Sequence, residues 1–600
     1  MISSRNLILE FRKLFAKPLI NRYYSSTQTG KEKLSEKTKI IEVDGPVFLV
    51  AHAGSGYCRA AAISNKGKIL TLAELVCKVN YNGIFIEMSS DNVWTNLVNC
   101  IQRVTKKVKI DNTKAIAFIA TPGLVCLDKT GAPLTASVTR DPNLNIILPY
   151  DMRSTLETKK INKTHHQLLQ YYGDTAQSFL KESKLMWLKS NLKEECWNKA
   201  GHFFDLTDFL TWKATGSLVR SSATLTTQWT YEMSVTGTEG WNGNFLNELG
   251  IGELTEDNFH KIGSVTQRPG TAVGEGLLTN MATEMGLQAK LPVAMGLPDA
   301  LSGCLGVVGC EAKDVDCDLR KRLCIVFGTR AASHFVLSEE PRFIKGINGP
   351  FRDSILPNMW LNQAGQTTAE SALEFIIDSH PATTEIKKQI GEMHIHKYLN
   401  KILKIKAQKS NLTARSYLTK FLHVLPDFEG NKSPLADPWI RGMISGLSIP
   451  TTQESLALLY LATMQSLAYS TKHIMSALTQ NGHEITCILI GGHLGKNSLF
   501  TMLQKDVCQV PTISAEESRS QLLGAAILAG LASGHFRDFN HALKEMCGTG
   551  KVILPENDLE LIEYHKKKYE VFLKMYDHQL EYRRIMNSGR KGVNKVHTKQ

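Results

Sequence analysis

The sequence predicts an α/β protein built from two similar halves with a cleft between them. Two observations carry that prediction. An apolar run beginning at Val47 enters the turn Gly54-Ser55-Gly56, and a second run, Ala60 to Ile63, leaves it. That is a strand, a glycine turn and a strand. The pattern recurs from Leu323 to Leu337, where Leu-Cys-Ile-Val-Phe meets Gly328-Thr329 before a further apolar strand. Each unit is followed by mixed helix and strand patterns, as in a duplicated architecture.

Taken in order, residues 1–39 hold nine Lys/Arg against three Glu. Leu7, Phe11 and Leu14 recur at helical spacing, and hydroxyl residues follow from Tyr23 to Thr27. A basic, amphipathic, acid-poor start reads as a mitochondrial presequence with a linker. The expected location is the mitochondrial matrix, otherwise the cytoplasm. The first half is expected over 40–285. It holds the hairpin at 47–71, a helix over 91–107 opened by Ser89-Ser90-Asp91, a buried strand Ala115 to Ala120, and a strand Leu124 to Asp128. Residues 150–290 read as a mainly helical insertion carrying Trp187, Trp197, Trp212, Trp229 and Trp241. The second half is expected over 286–555. A short helix, Asp299 to Val308, precedes its hairpin. A helical region (366–422), a helix Glu454–Thr479 and a strand Thr486–Ile490 entering Gly491-Gly492 follow it. Residues 556–600 read as a charged helix over 557–587 and a basic tail.

Composition excludes several classes. The net charge is +13, but residues 1–39 carry +6 of it and 588–600 carry +4. The body between is nearly neutral, so no nucleic-acid face is implied. No apolar run reaches the roughly 18 residues of a spanning helix, so no membrane is expected. Twelve cysteines are scattered without a C-x-x-C pair. Reduced, buried thiols are the expectation, with no metal site.

The candidate chemistry gathers at the glycine turns. Gly54, Ser55 and Gly56 let backbone N–H groups converge on an anion such as phosphate. No acidic residue lies between Pro46 and Glu74. Nothing in that loop can hold magnesium, and His52 sits where such an acid would be sought. Asp299 follows Pro298 and opens a small-residue helix. It suits a helix N-cap or a base in a cleft, and both readings stay open. Gly328-Thr329 is either a tight hairpin or a second phosphate turn. Gly491-Gly492, with Asn497 beyond, seats a nucleotide against backbone or simply joins strand to helix. Asp151-Met152-Arg153 and Asp208 bond sugar hydroxyls or make buried salt links.

The order of these segments, with three distinctive stretches, resembles the FGGY carbohydrate kinase family, in its ribulokinase-like, pentulose-phosphorylating branch. The stretches are Gly201-His-Phe-Phe-Asp-Leu-Thr-Asp-Phe-Leu-Thr-Trp-Lys-Ala-Thr-Gly216, Leu361-Asn-Gln-Ala-Gly-Gln366 and Pro426-Asp-Phe-Glu-Gly-Asn-Lys-Ser-Pro-Leu-Ala-Asp437. The resemblance implies two actin-like (ribonuclease H-like) ATPase domains with an interdomain cleft, and transfer of the γ-phosphoryl of Mg-ATP to a sugar hydroxyl. It implies Asp299 as general base and Asp208, Asp151, Arg153 and Gln363 as sugar-binding residues. It implies Gly54, Ser55, Gly56, Gly328, Thr329, Gly491, Gly492 and Asn497 at the nucleotide. The implied partners are a small-molecule sugar and ATP, with Mg2+ if the chain is active; a homodimer is left open. The chain also departs from the family pattern. His52 and Ile119 stand where acids are usual, Arg330 where a small hydroxyl residue is, and Gln363 where a Glu is. His493 looks inserted in the adenosine loop, and Pro149 replaces an aromatic. Two functions follow as expectations: an ATP-dependent pentulose kinase, or a degenerate pseudokinase that binds sugar or nucleotide or acts as a scaffold.

Overall fold

The computed structural model describes residues 40–233, 239–316 and 318–588. The presequence expected over 1–39 and nearly all of the basic tail lie outside those residues. The first sheet begins with β1 (Val47–Ala53), β2 (Tyr57–Ser64) and β3 (Ile69–Val76), joined as antiparallel neighbours. All seven residues of β1 are buried. A strand covered on both faces has no polar alternation, which is why it reads as an unbroken apolar run. Helix α1 (Ser90–Thr105) follows, its first turn capped by Ser89, whose side chain accepts from the N–H of Asn92. β4 (Thr113–Ala120) then pairs parallel with β1. The edge strand, β5 (Val293–Ala294), pairs parallel with β4. It comes from beyond the boundary expected at 285.

Helix α2 (Asp299–Val308) leads to the second sheet, formed by β6 (Arg322–Phe327), β7 (Ala332–Ser338), β8 (Asn348–Arg352), β9 (Trp360–Gln366), β10 (Cys487–Gly491), β11 (Thr512–Ala515) and β12 (Gly550–Ile553). β6, β7 and β9 are antiparallel neighbours; β10 runs parallel to β6, and β11 to β10. The first sheet has the same scheme, three antiparallel strands and then two parallel ones. The duplication read from two hairpins therefore extends to both sheets.

Helix α3 (Ser520–Ala532) lies against α2 where the halves meet. The approach leaves no room for side chains. A Cβ at Gly524 would lie 1.8 Å from the Ser302 carbonyl oxygen, and one at Gly306 2.1 Å from that of Ser520. The two helices exchange sheets: α2 packs on β6 and β10, α3 on β1 and β4. α2, which follows the last strand of the first sheet, thus covers the second sheet, and α3, which follows β11 of the second, covers the first.

Two expectations need correction. The stretch 150–290 is not a mainly helical insertion. Helices such as Thr155–Thr164, Lys181–Asn191 and Leu206–Thr215 alternate with long irregular connections, and a buried strand, Ala200–Asp205, pairs antiparallel with Leu124–Asp128. Its Phe203 and Phe204 suit a pleated surface better than a helix. The helical region expected from 366 starts later, at Glu370–Ser379, because residues up to Gln366 belong to β9. The last helix, Leu559–Asn587, forms close to the expected span and is capped by Asp558. Its Tyr576 hydroxyl donates to Asp427, and Arg583 pairs with Asp437.

Candidate functional site

Four side chains make one row across the first sheet. In register, Ile119 on β4 lies beside His52 on β1, His52 beside Arg59 on β2, and Arg59 beside Glu74 on β3. Directly opposed residues on neighbouring strands share a face. Arg59 binds the Glu74 carboxylate, and its guanidinium lies 3.9 Å from the centre of the Tyr57 ring. The Tyr57 ring in turn meets His52 edge-on, with centroids 5.3 Å apart.

The turn beyond β1 closes with Gly54 N–H donating to the Tyr57 carbonyl at 2.9 Å. A Cβ at Gly54 would sit 2.3 Å from the Tyr57 ring, so the turn needs glycine there. The turn after β6 repeats the link, Gly328 N–H to the Ala331 carbonyl at 2.9 Å. Thr329 is exposed at its tip. Arg330 turns aside to a fork with Glu429 at 2.6 Å, over the Tyr150 ring. Gly491 lies beside Val326 in register. Gly492 has φ +100°, and a Cβ there would fall 2.3 Å from the Phe327 carbonyl oxygen. The glycine pair is therefore pressed against the strand that ends in the second turn.

Asp299 comes to this end of the molecule because Pro298 extends the first sheet beside Ala120, the last residue of β4. Pro298 holds the N-cap position of α2, so Asp299, the residue after it, is not the cap. The Asp299 Oδ2 lies 3.5 Å from Nε2 of His52 instead. The cap alternative is thereby removed. Asp299's side chain is 23% exposed and that of His52 only 1%. Burial lowers the His52 pKa, and the neighbouring Asp299 offsets this only in part. The imidazole is accordingly neutral near pH 7, and Asp299 is the member of the pair that a solute can reach.

The other expected residues differ in kind. Asp151 and Arg153 form a fully buried fork: Arg153 Nε and Nη2 donate to Asp151 at 2.7 Å, and Nη2 reaches Glu87 at 2.8 Å. Asp151 also accepts from the N–H groups of Ile86 and Arg153. Its oxygens are thus engaged by the protein. Asp208 is buried and accepts from Ser221 N–H at 2.9 Å; the Ser221 hydroxyl donates to the Gly296 carbonyl. It stands behind the segment carrying Asp299. Burial pushes its pKa up to about 7. Gln363 is buried on β9, opposite Phe335. Asn497 caps the helix Ser498–Cys508, and its amide donates to the Tyr460 hydroxyl at 2.8 Å. Gly54–Gly56, Asp299, Gly328–Thr329 and Gly491–Gly492 are gathered at the ends of the two sheets' central strands and the helices between them. Asp151, Arg153 and Asp208 are buried and bonded within the protein.

Sequence reasoning passed over Lys181 and Lys184. Lys181 pairs with Asp205 at 3.0 Å, both wholly buried, and Lys184 donates to the Leu148 carbonyl at 2.7 Å. Burial holds Lys184 well below the usual lysine range. The available signal was two lysines three residues apart, bounded by apolar Phe179-Leu180 and Leu185-Met186-Trp187.

Phosphate fits the two glycine turns. A magnesium ion held by the protein fits less well. Such ions take one or two protein carboxylates besides phosphate oxygens. At the first turn the row offers Ile119 and His52, and Glu74 is tied to Arg59, so Asp299 beside His52 would be, among the described residues, the single carboxylate there to hold the ion. Among the described residues no three His, Cys, Asp or Glu side chains converge as a metal site.

Comparison with known proteins gives the same order of segments. The N-terminal domain model of the FGGY family of carbohydrate kinases matches residues 47–306, and its C-terminal domain model matches 323–533. An FGGY carbohydrate kinase domain-containing protein of Xenopus laevis is 37% identical over 541 residues, covering 89% of this chain and 96% of that protein. A D-ribulokinase of Saccharomyces cerevisiae is 31% identical over 540 residues, covering 85% of this chain and 75% of that one. Among solved structures, a xylulose kinase from Rhodospirillum rubrum superposes with a TM-score of 0.70 at 17% identity, covering 89% of this chain and 99% of that one. The two halves thus have the actin-like ATPase fold of sugar kinases. With both family domains matched in order, the chain belongs to the FGGY family of carbohydrate kinases.

Proposed function

We propose that this protein phosphorylates a pentulose such as ribulose, with ATP as donor and Asp299 as the base that positions the accepting hydroxyl. The observation that carries the reading is Asp299 itself, a partly exposed carboxylate that follows the N-cap position and lies beside His52, just ahead of the first glycine turn. Transfer of a phosphoryl group is mainly positioning and charge stabilisation. The turns at Gly54 and Gly328 can hold phosphate oxygens with backbone N–H groups, and Asp299 can take the hydroxyl proton. The similarity to ribulokinases supports a pentulose acceptor.

A second reading is the alternative. Ile119 and His52 stand side by side, at positions where the resemblance implies acids, and the alternative is a protein that binds sugar or nucleotide with little turnover. Losing one preorganised charge interaction costs roughly 10²–10³-fold in rate. Phosphate transfer from ATP to ribulose, xylulose and ribitol separates the two. The expected result is slow transfer to ribulose, raised about 10-fold or more in the His52→Asp, Ile119→Asp double variant. No transfer to any acceptor by either protein, with ATP still raising the melting temperature of both, would overturn the kinase reading in favour of the binder.

A further inference from the structure

Cys58 and Cys77 face each other beneath the first glycine turn. Both thiols are free, and their sulfur atoms are 3.0 Å apart. Cys58 lies directly across from Ala53, where β1 runs into the turn. Cys77 follows the end of β3, and its N–H donates to the Gly56 carbonyl at 2.9 Å. The pair therefore brackets Gly54-Ser55-Gly56: one cysteine follows the turn in the chain, and the other is bonded to its last glycine.

The two sulfurs have different surroundings. Cys58 Sγ donates to the Val93 carbonyl at 3.6 Å. Cys77 Sγ receives the Asn96 amide at 3.3 Å. A sulfur that accepts hydrogen bonds is the one suited to carry negative charge, and the thiolate is the reactive form. The Cys58 thiol bond, ahead of burial and the Asn96 amide, sets a lowered pKa for Cys77. Cys77 is 3% exposed, but it lies just under the surface, between Val76 at 52% and exposed Lys78. Two other close pairs, Cys126 with Cys196 and Cys304 with Cys324, lie deep in the core.

We propose that Cys58 and Cys77 are a reversible oxidation site whose disulfide stiffens the first glycine turn. The oxidant is a peroxide. The Cys77 thiolate attacks one peroxide oxygen; the S–O bond forms, the O–O bond breaks, and the departing hydroxide takes up a proton as water. Cys58 sulfur then attacks the Cys77 sulfenic acid. The S–S bond forms, the S–O bond breaks, and the Cys58 proton leaves with that oxygen as a second water. Two thiols lose two electrons and one peroxide gains them. The bond length of about 2.05 Å needs the sulfurs to approach by about 1 Å. The site is defined by sulfur geometry and stands whether or not the chain transfers phosphate.

The test uses the full chain treated with hydrogen peroxide under native conditions. Remaining thiols are then alkylated in denaturant, and the chain is digested and mapped by mass spectrometry without reductant. The expected product is a Cys58–Cys77 linked peptide, with the deep pairs alkylated and the link reversed by dithiothreitol. Amide exchange at Gly54–Tyr57 is expected to slow in the oxidised chain. Cys77→Ser should abolish the link and Cys100→Ser should leave it. Alkylation of both Cys58 and Cys77 after peroxide, or a link that appears only in denaturant, overturns the site. A native link with unchanged exchange at the turn overturns its coupling to the loop. The mapping of the unsubstituted chain needs no variant to fold.

Discussion

Asp299 and Asp208 show how two aspartates acquire different work. Asp299 follows the helix cap and faces His52 at the surface of the cleft. Asp208 is buried, accepts one backbone N–H and leaves Oδ2 without a partner. Its pKa of about 7 lies above the ordinary carboxylate value. The fold therefore favours the protonated acid. That contribution is fully present below the unfolded value, near pH 4, and is lost as pH rises through about 7. Asp208→Asn keeps the bond from Ser221 and removes the titration. The variant should be more stable than the wild type at about pH 8, by about 2–4 kcal/mol, and equal to it near pH 4. Denaturant midpoints across that range provide the check; a difference independent of pH would contradict the assignment. The role of Asp299 was not legible locally. Pro298 before it and small residues after it suit a cap, and its approach to His52 shows only where the strand ends lie. Asp151 and Arg153 were legible as polar residues in an apolar setting, but not as a closed fork with Glu87. That depends on where a distant strand lies.

At the level of elements, the crossing of α2 and α3 sets the geometry around Asp299. Helix propensity alone favours Gly→Ala by up to about 1 kcal/mol. At Gly524 the added carbon would meet the backbone of Ser302 at 1.8 Å. Backbone cannot give way as a side chain can, so packing decides the sign. Gly524→Ala should lower stability by about 1–3 kcal/mol, seen as a lower melting temperature. An unchanged or raised value would contradict the close crossing. Elements bounded by glycine turns were the most legible, because a turn that needs positive φ or an absent Cβ leaves its mark in sequence. The strand Ala200–Asp205 was not. Six residues, Ala-Gly-His-Phe-Phe-Asp, are too few to carry a period that separates strand from buried helix, and the strand forms because Leu124–Asp128 offers it an edge. β5, two residues long, has no signal of its own.

Over the whole molecule, repetition of one sheet plan explains why two short hairpins predicted so much. Each sheet places a glycine turn at the end of its central strand, and the exchanged helices bring those ends together. The duplicated fold was legible because such turns recur; the pairing of Asp299 with His52 was not, because it arises only where the segment ending in Pro298 runs alongside β4 of the first sheet. The central claim is that this junction is a phosphoryl-transfer site with Asp299 as base. The most direct measurement is the rate of pentulose phosphate formation from ATP and ribulose by the wild type and by Asp299→Asn, with folding of both checked by melting. Loss of a positioned base predicts a fall of roughly 10²–10⁴-fold with the melting temperature little changed. Equal product formation by the two proteins would contradict the claim.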